Sequence, residues 1–222
     1  LQARLVIGAD GAASAVRQAS GIGVQTTRYG QKALAFAVTH SAPHLDVSTE
    51  VYASGGAFTL VPLPDRDGQP ASAVVWMEDG PRALALAALK RQAFSRAATD
   101  RSTGILGDLR LAGDRATFPV ISQRADTLSA RRVALIAEAA HVLPPIGAQG
   151  LNMSLNDITT LLDLAQARPE SLGDAQMLEA YHKARYGDIM LRVRGIDLLN
   201  RASQAGSTMA RDARAAGLSA LY

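Results

Sequence analysis

Cysteine is absent from the 222-residue chain, which removes disulfides, thiolate zinc sites and cysteine nucleophiles together. No run approaches the ~18 consecutive apolar residues of a membrane-spanning helix, and no charged-then-apolar signal segment opens the chain, so a cytoplasmic protein is the expectation. Aromatic residues are scarce at 5%. The basic C-terminal stretch offers only Tyr186 for stacking on bases, so no nucleic-acid partner is expected. His40, His44 and His182 lack ligand spacing among themselves, so no metal is assigned. No Ser, His and acid grouping suggests a nucleophilic triad. Internal repeats and low-complexity tracts are missing as well.

What is present suits a packed protein. Hydrophobic residues make up 48% of the chain, enough for one or two cores. Leu1 is not an initiator methionine, and the chain opens almost at once on the strand-like run Leu5, Val6, Ile7. A buried strand needs neighbours, so the chain reads as a piece of something longer. The net charge is +3, yet between His182 and Arg214 seven Lys or Arg stand against three Asp. Such a stretch suits contact with anionic lipid or an acidic partner, while a solvated helix face is the plainer reading.

Periodicity divides the chain. A short strand, Leu5 to Ile7, enters a glycine turn and a helix over Ser14 to Ala19. Strands are expected over Ala33 to His40, Ser48 to Tyr52, Phe58 to Pro62 and Ala71 to Met77, punctuated by glycines and prolines as in an antiparallel sheet. The alanine- and leucine-rich run Pro81 to Ala98 predicts a helix, followed by a strand near Ala116 to Ser122. A buried strand then spans Val133 to Ala137, followed by the loop Pro144 to Gly150. Leu151, Leu155, Ile158, Leu162 and Ala165 fall on one face of the next helix. A last helix is expected over Ala175 to Ser203, with Tyr186, Met190, Val193 and Ile196 on one stripe. The fold class is therefore α/β with an α+β insertion: a partial Rossmann-like domain interrupted by a mostly antiparallel sheet and followed by C-terminal helices.

Two segments carry chemistry. In Gly8-Ala9-Asp10-Gly11, Asp10 follows a strand at the position where cofactors lie in open α/β sheets. The glycines permit close approach or positive φ. Arg17 offers a charged fork for phosphate or a counter-ion for Asp10. An Asp-Gly pair by itself is more often a turn. The second segment, Ala137-Glu138 through Pro144, Gly147, Gly150, Leu151 and Asn152, is more informative. An acid ends a buried strand, and glycines open an amphipathic helix whose unpaired amides suit an anionic group. His141 reads as a proton relay or a hydrogen-bonding strut, with the strut preferred. Trp76 reads as core. Phe58, Leu60 and Pro62 lie on a strand whose cavity-facing side alternation alone does not settle.

These paired segments resemble the "DG" and "GD" fingerprints of the class A flavoprotein monooxygenases. Tyr52 to Pro64, Arg131 to Asp157 and the pattern Tyr181, Arg185, Asp188, Arg192, Asp197, Asn200, Arg201 resemble the ubiquinone-biosynthesis hydroxylases within that group. The resemblance implies an FAD-binding portion over residues 1–28, a sheet-rich substrate domain over 29–125, the rest of the FAD-binding domain with C-terminal helices over 126–205, and a tail over 206–222. It implies FAD as cofactor and NAD(P)H as reductant. A flavin hydroperoxide would deliver oxygen from dioxygen to a small aromatic substrate, a prenylated phenol of ubiquinone biosynthesis. Peripheral membrane contact and membership of a biosynthetic complex are further expectations. Asp10, Gly11 and Arg17 would lie at the FAD pyrophosphate. Glu138 would bind the ribityl chain, and Pro144, Gly147, Gly150, Leu151 and Asn152 would lie beside the isoalloxazine ring. No catalytic side chain is singled out, because the flavin carries the oxygen chemistry.

Two departures stand out. The fingerprint usually reads Gly-Asp where this chain has Ala137-Glu138. The G-x-G-x-x-G turn that holds the ADP half of FAD in the family does not occur in these residues, so the 222 residues alone are expected to bind FAD weakly or not at all. A hydroxylase of soluble phenols and a non-catalytic scaffold derived from the enzyme remain alternatives.

Overall fold

The computed structural model describes residues 2–52, 55–147 and 149–204, with side chains through Arg201. The tail at 206–222 and the basic residues Arg211 and Arg214 lie outside the described residues. The chain divides into two compact units, one formed by Leu1–Arg28 with Ile121–Leu198 and the other by Tyr29–Val120 with Leu199 onward.

The first unit contains strand β1 (Val6–Gly8), helix α1 (Ala15–Ala19), strands β7 (Ser129–Ala130), β8 (Val133–Leu135) and β9 (His141–Val142), and helix α4 (Gln149–Ala167). Most of helix α5 (Ala175–Gln204) belongs to it too. A three-stranded sheet runs β1-β8-β7. Strand β1 lies parallel to β8, with Val6 opposite Val133 and Gly8 opposite Leu135. A parallel pair is only possible because a long connection returns the chain to the same starting edge. The core beneath it gathers Ala134, Leu135, Met153, Leu161, Met177, Leu178, Tyr181 and Ile189. Tyr181 is fully buried, and its hydroxyl donates to the Leu135 carbonyl at 2.8 Å.

The second unit is built on strands β2 (Val24–Thr39), β3 (Thr49–Tyr52), β4 (Ala57–Arg66), β5 (Gln69–Asp79) and β6 (Arg110–Ala125) with helices α2 (Gly80–Ala87) and α3 (Arg91–Arg101). Strands β2 and β6 also continue into the first unit, and the sheet order is β3-β4-β5-β2-β6-β9. Leu34, Phe36, Phe58, Leu60, Val74 and Trp76 fill one face against Ala83, Phe94 and Ala98 of the two helices. Trp76 is core, as expected, and Phe58 and Leu60 belong to that core as well. The other face carries Ala35, Ala37, Thr59, Ala73 and Val75, all half-buried, with Val61 exposed. Glu50, paired opposite Thr59, lies on that face too, and its carboxylate accepts from the Thr59 hydroxyl at 3.1 Å.

Several expected elements differ in extent. The helix expected over Pro81 to Ala98 is two helices, broken at Ala88 to Lys90, where Lys90 adopts an extended conformation (φ −61°, ψ 149°). Strand β2 begins nine residues earlier than expected. Its first residues, Val24 to Arg28, are exposed and polar enough to give no alternation. On α4 the buried residues are Met153, Asp157 and Leu161. The Leu151, Leu155, Ile158, Leu162 face is instead exposed, at 47% or more for each side chain. Spacing marks both faces of this helix as regular, and apolar content alone selects the wrong one.

Candidate functional site

Because β1 and β8 are parallel and in register, the turns that follow them leave from the same edge of the sheet. Gly8 ends β1 against Leu135, the last residue of β8. A Cβ at Gly8 would meet the Leu135 side chain at 2.7 Å and that of Val16 at 3.0 Å, so the strand and α1 approach closely only with glycine there. The Asp10 turn and the Glu138 turn are thereby brought together, although they lie far apart in sequence.

Each turn is held by its own polar contacts. The Asp10 carboxylate accepts from the Ser14 hydroxyl at 2.5 Å and from the Val16 amide at 3.1 Å. Those two donations hold its pKa below the ordinary carboxylate value. Ser14 in turn caps α1, accepting from the Arg17 amide at 2.9 Å. Gly11 adopts φ +84°, a conformation that favours glycine. Arg17 is 4% exposed. Its guanidinium turns inward, donating to the Ala139 carbonyl at 2.8 Å and to the Ala12 carbonyl at 2.8 Å. It therefore ties the two turns together, an arrangement the sequence did not suggest.

The segment after β8 turns sharply. Ala137 adopts φ +53°, and residues Ala137–Ala139 form one 3-10 turn. Glycine tolerates that backbone and alanine is strained by it, which explains the usual Gly-Asp reading at this place. The Glu138 side chain is exposed, while Ala139 and Ala140 are buried. Pro144 is buried, Gly147 adopts φ +63°, and Gly150, Leu151 and Asn152 are exposed in the first turn of α4. A Cβ at Gly150 would meet nothing within 4 Å, so the space beside the helix start is open. The first amides of α4 lack intrahelical acceptors by construction and carry the positive end of the helix dipole. An exposed acid and a helix start beside open space fit a polyhydroxy chain joined to an anionic ring.

His141 is the strut, with a partner other than a backbone carbonyl. Its Nε2 lies 2.7 Å from Asp157 Oδ2. Asp157 is fully buried and also accepts from the Ala137 amide at 3.0 Å and from Arg185 Nε at 2.9 Å. Sequence reasoning passed over Asp157. The available signal was its position between Met153 and Leu161, four residues from each, on what proves to be the buried face. Burial alone would lower the Arg185 pKa, but hydrogen bonds to Asp188 and Asp157 outweigh it and the net shift is upward. For Asp188, burial opposes ionisation, yet donation from Arg185 and Arg192 holds its pKa below the ordinary value.

A depression of about 530 Å³ in the first unit is lined by Thr127, Arg132, Asp174, Leu178 and His182 among others. Arg132 immediately precedes β8, so this depression sits at the opposite end of that strand from Glu138. It is not the site defined by the two turns.

A parallel strand pair presenting two such turns, interrupted by an antiparallel sheet, is the architecture of the FAD-dependent hydroxylases. The fold matches PqsL, a probable FAD-dependent monooxygenase from Pseudomonas aeruginosa, with a TM-score of 0.76 at 20% identity over 97% of this chain and 59% of that one. The flavin-dependent halogenase CmlS matches with a TM-score of 0.69 at 16% identity, over 90% of this chain and 36% of that one.

Residues 1–190 match the FAD binding domain family, and the chain belongs to it. It is 33% identical over 204 residues to the ubiquinone hydroxylase UbiL of Rhodospirillum rubrum, covering 90% of this chain and 47% of that protein. It is 28% identical to the 3-demethoxyubiquinol 3-hydroxylase of Escherichia coli, over 89% of this chain and 50% of that protein. The resemblance read from the sequence therefore holds, and the chain spans about half the length of these curated relatives.

Proposed function

We propose that this chain forms the ribityl- and ring-facing part of the flavin site, together with the substrate-side sheet, of an FAD-dependent hydroxylase acting on an aromatic ring. The observation that carries the reading is the parallel register of β1 and β8, which sets the Asp10 and Glu138 turns side by side. Glu138 accepts a hydrogen bond from a ribityl hydroxyl, its extra methylene relative to aspartate being taken up at the exposed turn. The amides at Gly150, Leu151 and Asn152 face the pyrimidine edge of the ring, where a helix dipole contributes roughly 0.3–1 kcal/mol to an adjacent negative charge. Gly147 and Pro144 shape the loop beside the ring. Asp10 and Gly11 approach the pyrophosphate, and Arg17 supports them from within rather than by touching phosphate.

The bound flavin, reduced by NAD(P)H, supplies the oxygen-activating chemistry with dioxygen. The protein's part is to orient the ring and exclude water. The prenylated phenol of ubiquinone biosynthesis is the favoured substrate. Its support is the apolar part of the half-open sheet face, Ala35, Ala37, Ala73, Val75 and Val61, which offers area to a polyprenyl chain with the Glu50 carboxylate at its border opposite Thr59. Contact with a membrane surface or a biosynthetic complex would deliver such a substrate. No helix among the described residues is long and apolar enough to cross a membrane.

The test is to purify the product of the complete gene, record its flavin absorbance, and follow NAD(P)H oxidation and product formation with prenylated and unprenylated phenols. Hydroxylation of the prenylated substrate is expected. Turnover of unprenylated phenols alone would move the assignment to the soluble-phenol hydroxylases, and absence of any flavin band would favour the scaffold.

A further inference from the structure

The two flavin-facing segments of the first unit, the Glu138 turn and the first turn of α4, are connected by an unbroken series of charged hydrogen bonds. Asp157 lies at its centre. Oδ2 receives the Ala137 amide at 3.0 Å and sits 2.7 Å from His141 Nε2, so one oxygen holds the turn that presents Glu138 from both ends. Oδ1 receives Arg185 Nε at 2.9 Å. Arg185 continues to Asp188 at 2.8 Å, and Arg192 donates to the other Asp188 oxygen at 2.9 Å. Arg192 then reaches back across to α4, donating to Gln149 Oε1 at 2.8 Å. Gln149 is the first residue of α4, immediately before Gly150.

Apolar packing alone would leave this geometry loosely set. The buried apolar contacts of α4 are Met153 and Leu161, while Leu151, Leu155, Ile158 and Leu162 on the other side are exposed. Hydrophobic contact is non-directional, so a helix packed along one narrow stripe can slide or rotate by a fraction of an ångström at small cost. Directional hydrogen bonds at residues 149 and 157 remove that freedom. The two sites are eight residues apart, about 12 Å along the helix axis, so both the rise and the rotation of its first turn are defined. The charges are balanced along the series, Asp157 and Asp188 against Arg185 and Arg192. Loss of one link therefore leaves a partner uncompensated and propagates to the next.

We infer that Asp157, Arg185, Asp188 and Arg192 are positioning residues of the flavin site, fixing the separation between the Glu138 carboxylate and the amides at the start of α4. This rests on the flavin reading proposed above. None of the four touches the flavin on this account; they act through Ala137, His141 and Gln149.

The test uses Arg192→Met and Arg192→Lys, because Arg192 is 38% exposed in its side chain and its loss spares the core. Amide hydrogen exchange is measured on the flavin-free product of the complete gene, and FAD is titrated into each variant of that protein by fluorescence. The methionine variant is expected to lose protection at residues 137–141 as well as 149–152 and to bind FAD about fivefold more weakly, with the lysine variant recovering most of the affinity. Exchange confined to the neighbourhood of residues 149 and 192, or FAD affinity within about twofold of the native chain, overturns the inference. If the native product of the complete gene takes up no FAD while exchange at 137–141 still responds to Arg192, the coupling is real but the flavin reading fails. The positioning role then has nothing to position.

Discussion

Ala137 is the residue whose conformation most nearly contradicts its identity. At φ +53° an alanine costs roughly 1–2 kcal/mol, against roughly 0.5–1 kcal/mol of extra chain entropy for glycine. Ala137→Gly is accordingly expected to raise stability by about 0.5 kcal/mol or more in urea unfolding; a loss of stability would mean that its methyl group matters more than its backbone. Glu138 is tested differently, since its exposed side chain gives little to folding. Glu138→Gln keeps a neutral acceptor and loses only the charge on it, so FAD binding is expected to weaken about tenfold with unfolding unchanged; Glu138→Asp should lose far less. The acids Asp10, Asp174 and Asp188 all have depressed pKa values. A carboxyl depressed in the folded state stabilises above its unfolded pKa, and that contribution is lost as pH falls through the folded value. Stability should therefore decline below about pH 4, and Asp188→Asn should flatten that decline in a circular-dichroism titration.

Helix α4 shows what its element-level pattern leaves open. Two of its faces carry regular spacing, one of Leu151, Leu155, Ile158 and Leu162, the other of Met153, Asp157 and Leu161. The second is buried despite being less apolar, because Asp157 is neutralised by Arg185 and tied to the Ala137 amide. Met153→Ala or Leu161→Ala should cost roughly 2–5 kcal/mol, the range for emptying a packed site. Leu155→Ala and Leu162→Ala should stay within about 0.5 kcal/mol. Urea unfolding of the isolated chain separates these cases, and equal costs on both faces would show that the exposed stripe is covered. Tyr181 on α5 belongs to the same scale. Burial pushes its phenol far above the ordinary value, so it stays protonated and donates to Leu135, joining the helix to β8. Removal by Tyr181→Phe should cost about 1–2 kcal/mol.

At the scale of the molecule, the first unit carries the two turns proposed above for the flavin, and the second carries the sheet face proposed for substrate. Because these residues contain no G-x-G-x-x-G turn for the ADP half of the cofactor, the chain is expected to purify without flavin and to take up FAD weakly or not at all. Stoichiometric flavin surviving purification would contradict this.

The sequence by itself determined that a strand precedes and a helix follows each motif, although β8 ends at Leu135 rather than the expected Ala137, together with the family and the turn character of Gly11 and Gly147. These are local matters of φ preference, capping and short-period patterning, set by neighbours within a few positions. It also showed Arg185, Asp188 and Arg192 as part of a family pattern without giving their purpose. Only the tertiary structure decided that Arg17 points inward to Ala139, 122 positions away, that Asp157 is the buried centre joining Ala137, His141 and Arg185, and which face of α4 is packed. Each depends on which distant segment the parallel return of β8 brings alongside, and no local preference along the chain encodes the identity of a partner so far removed.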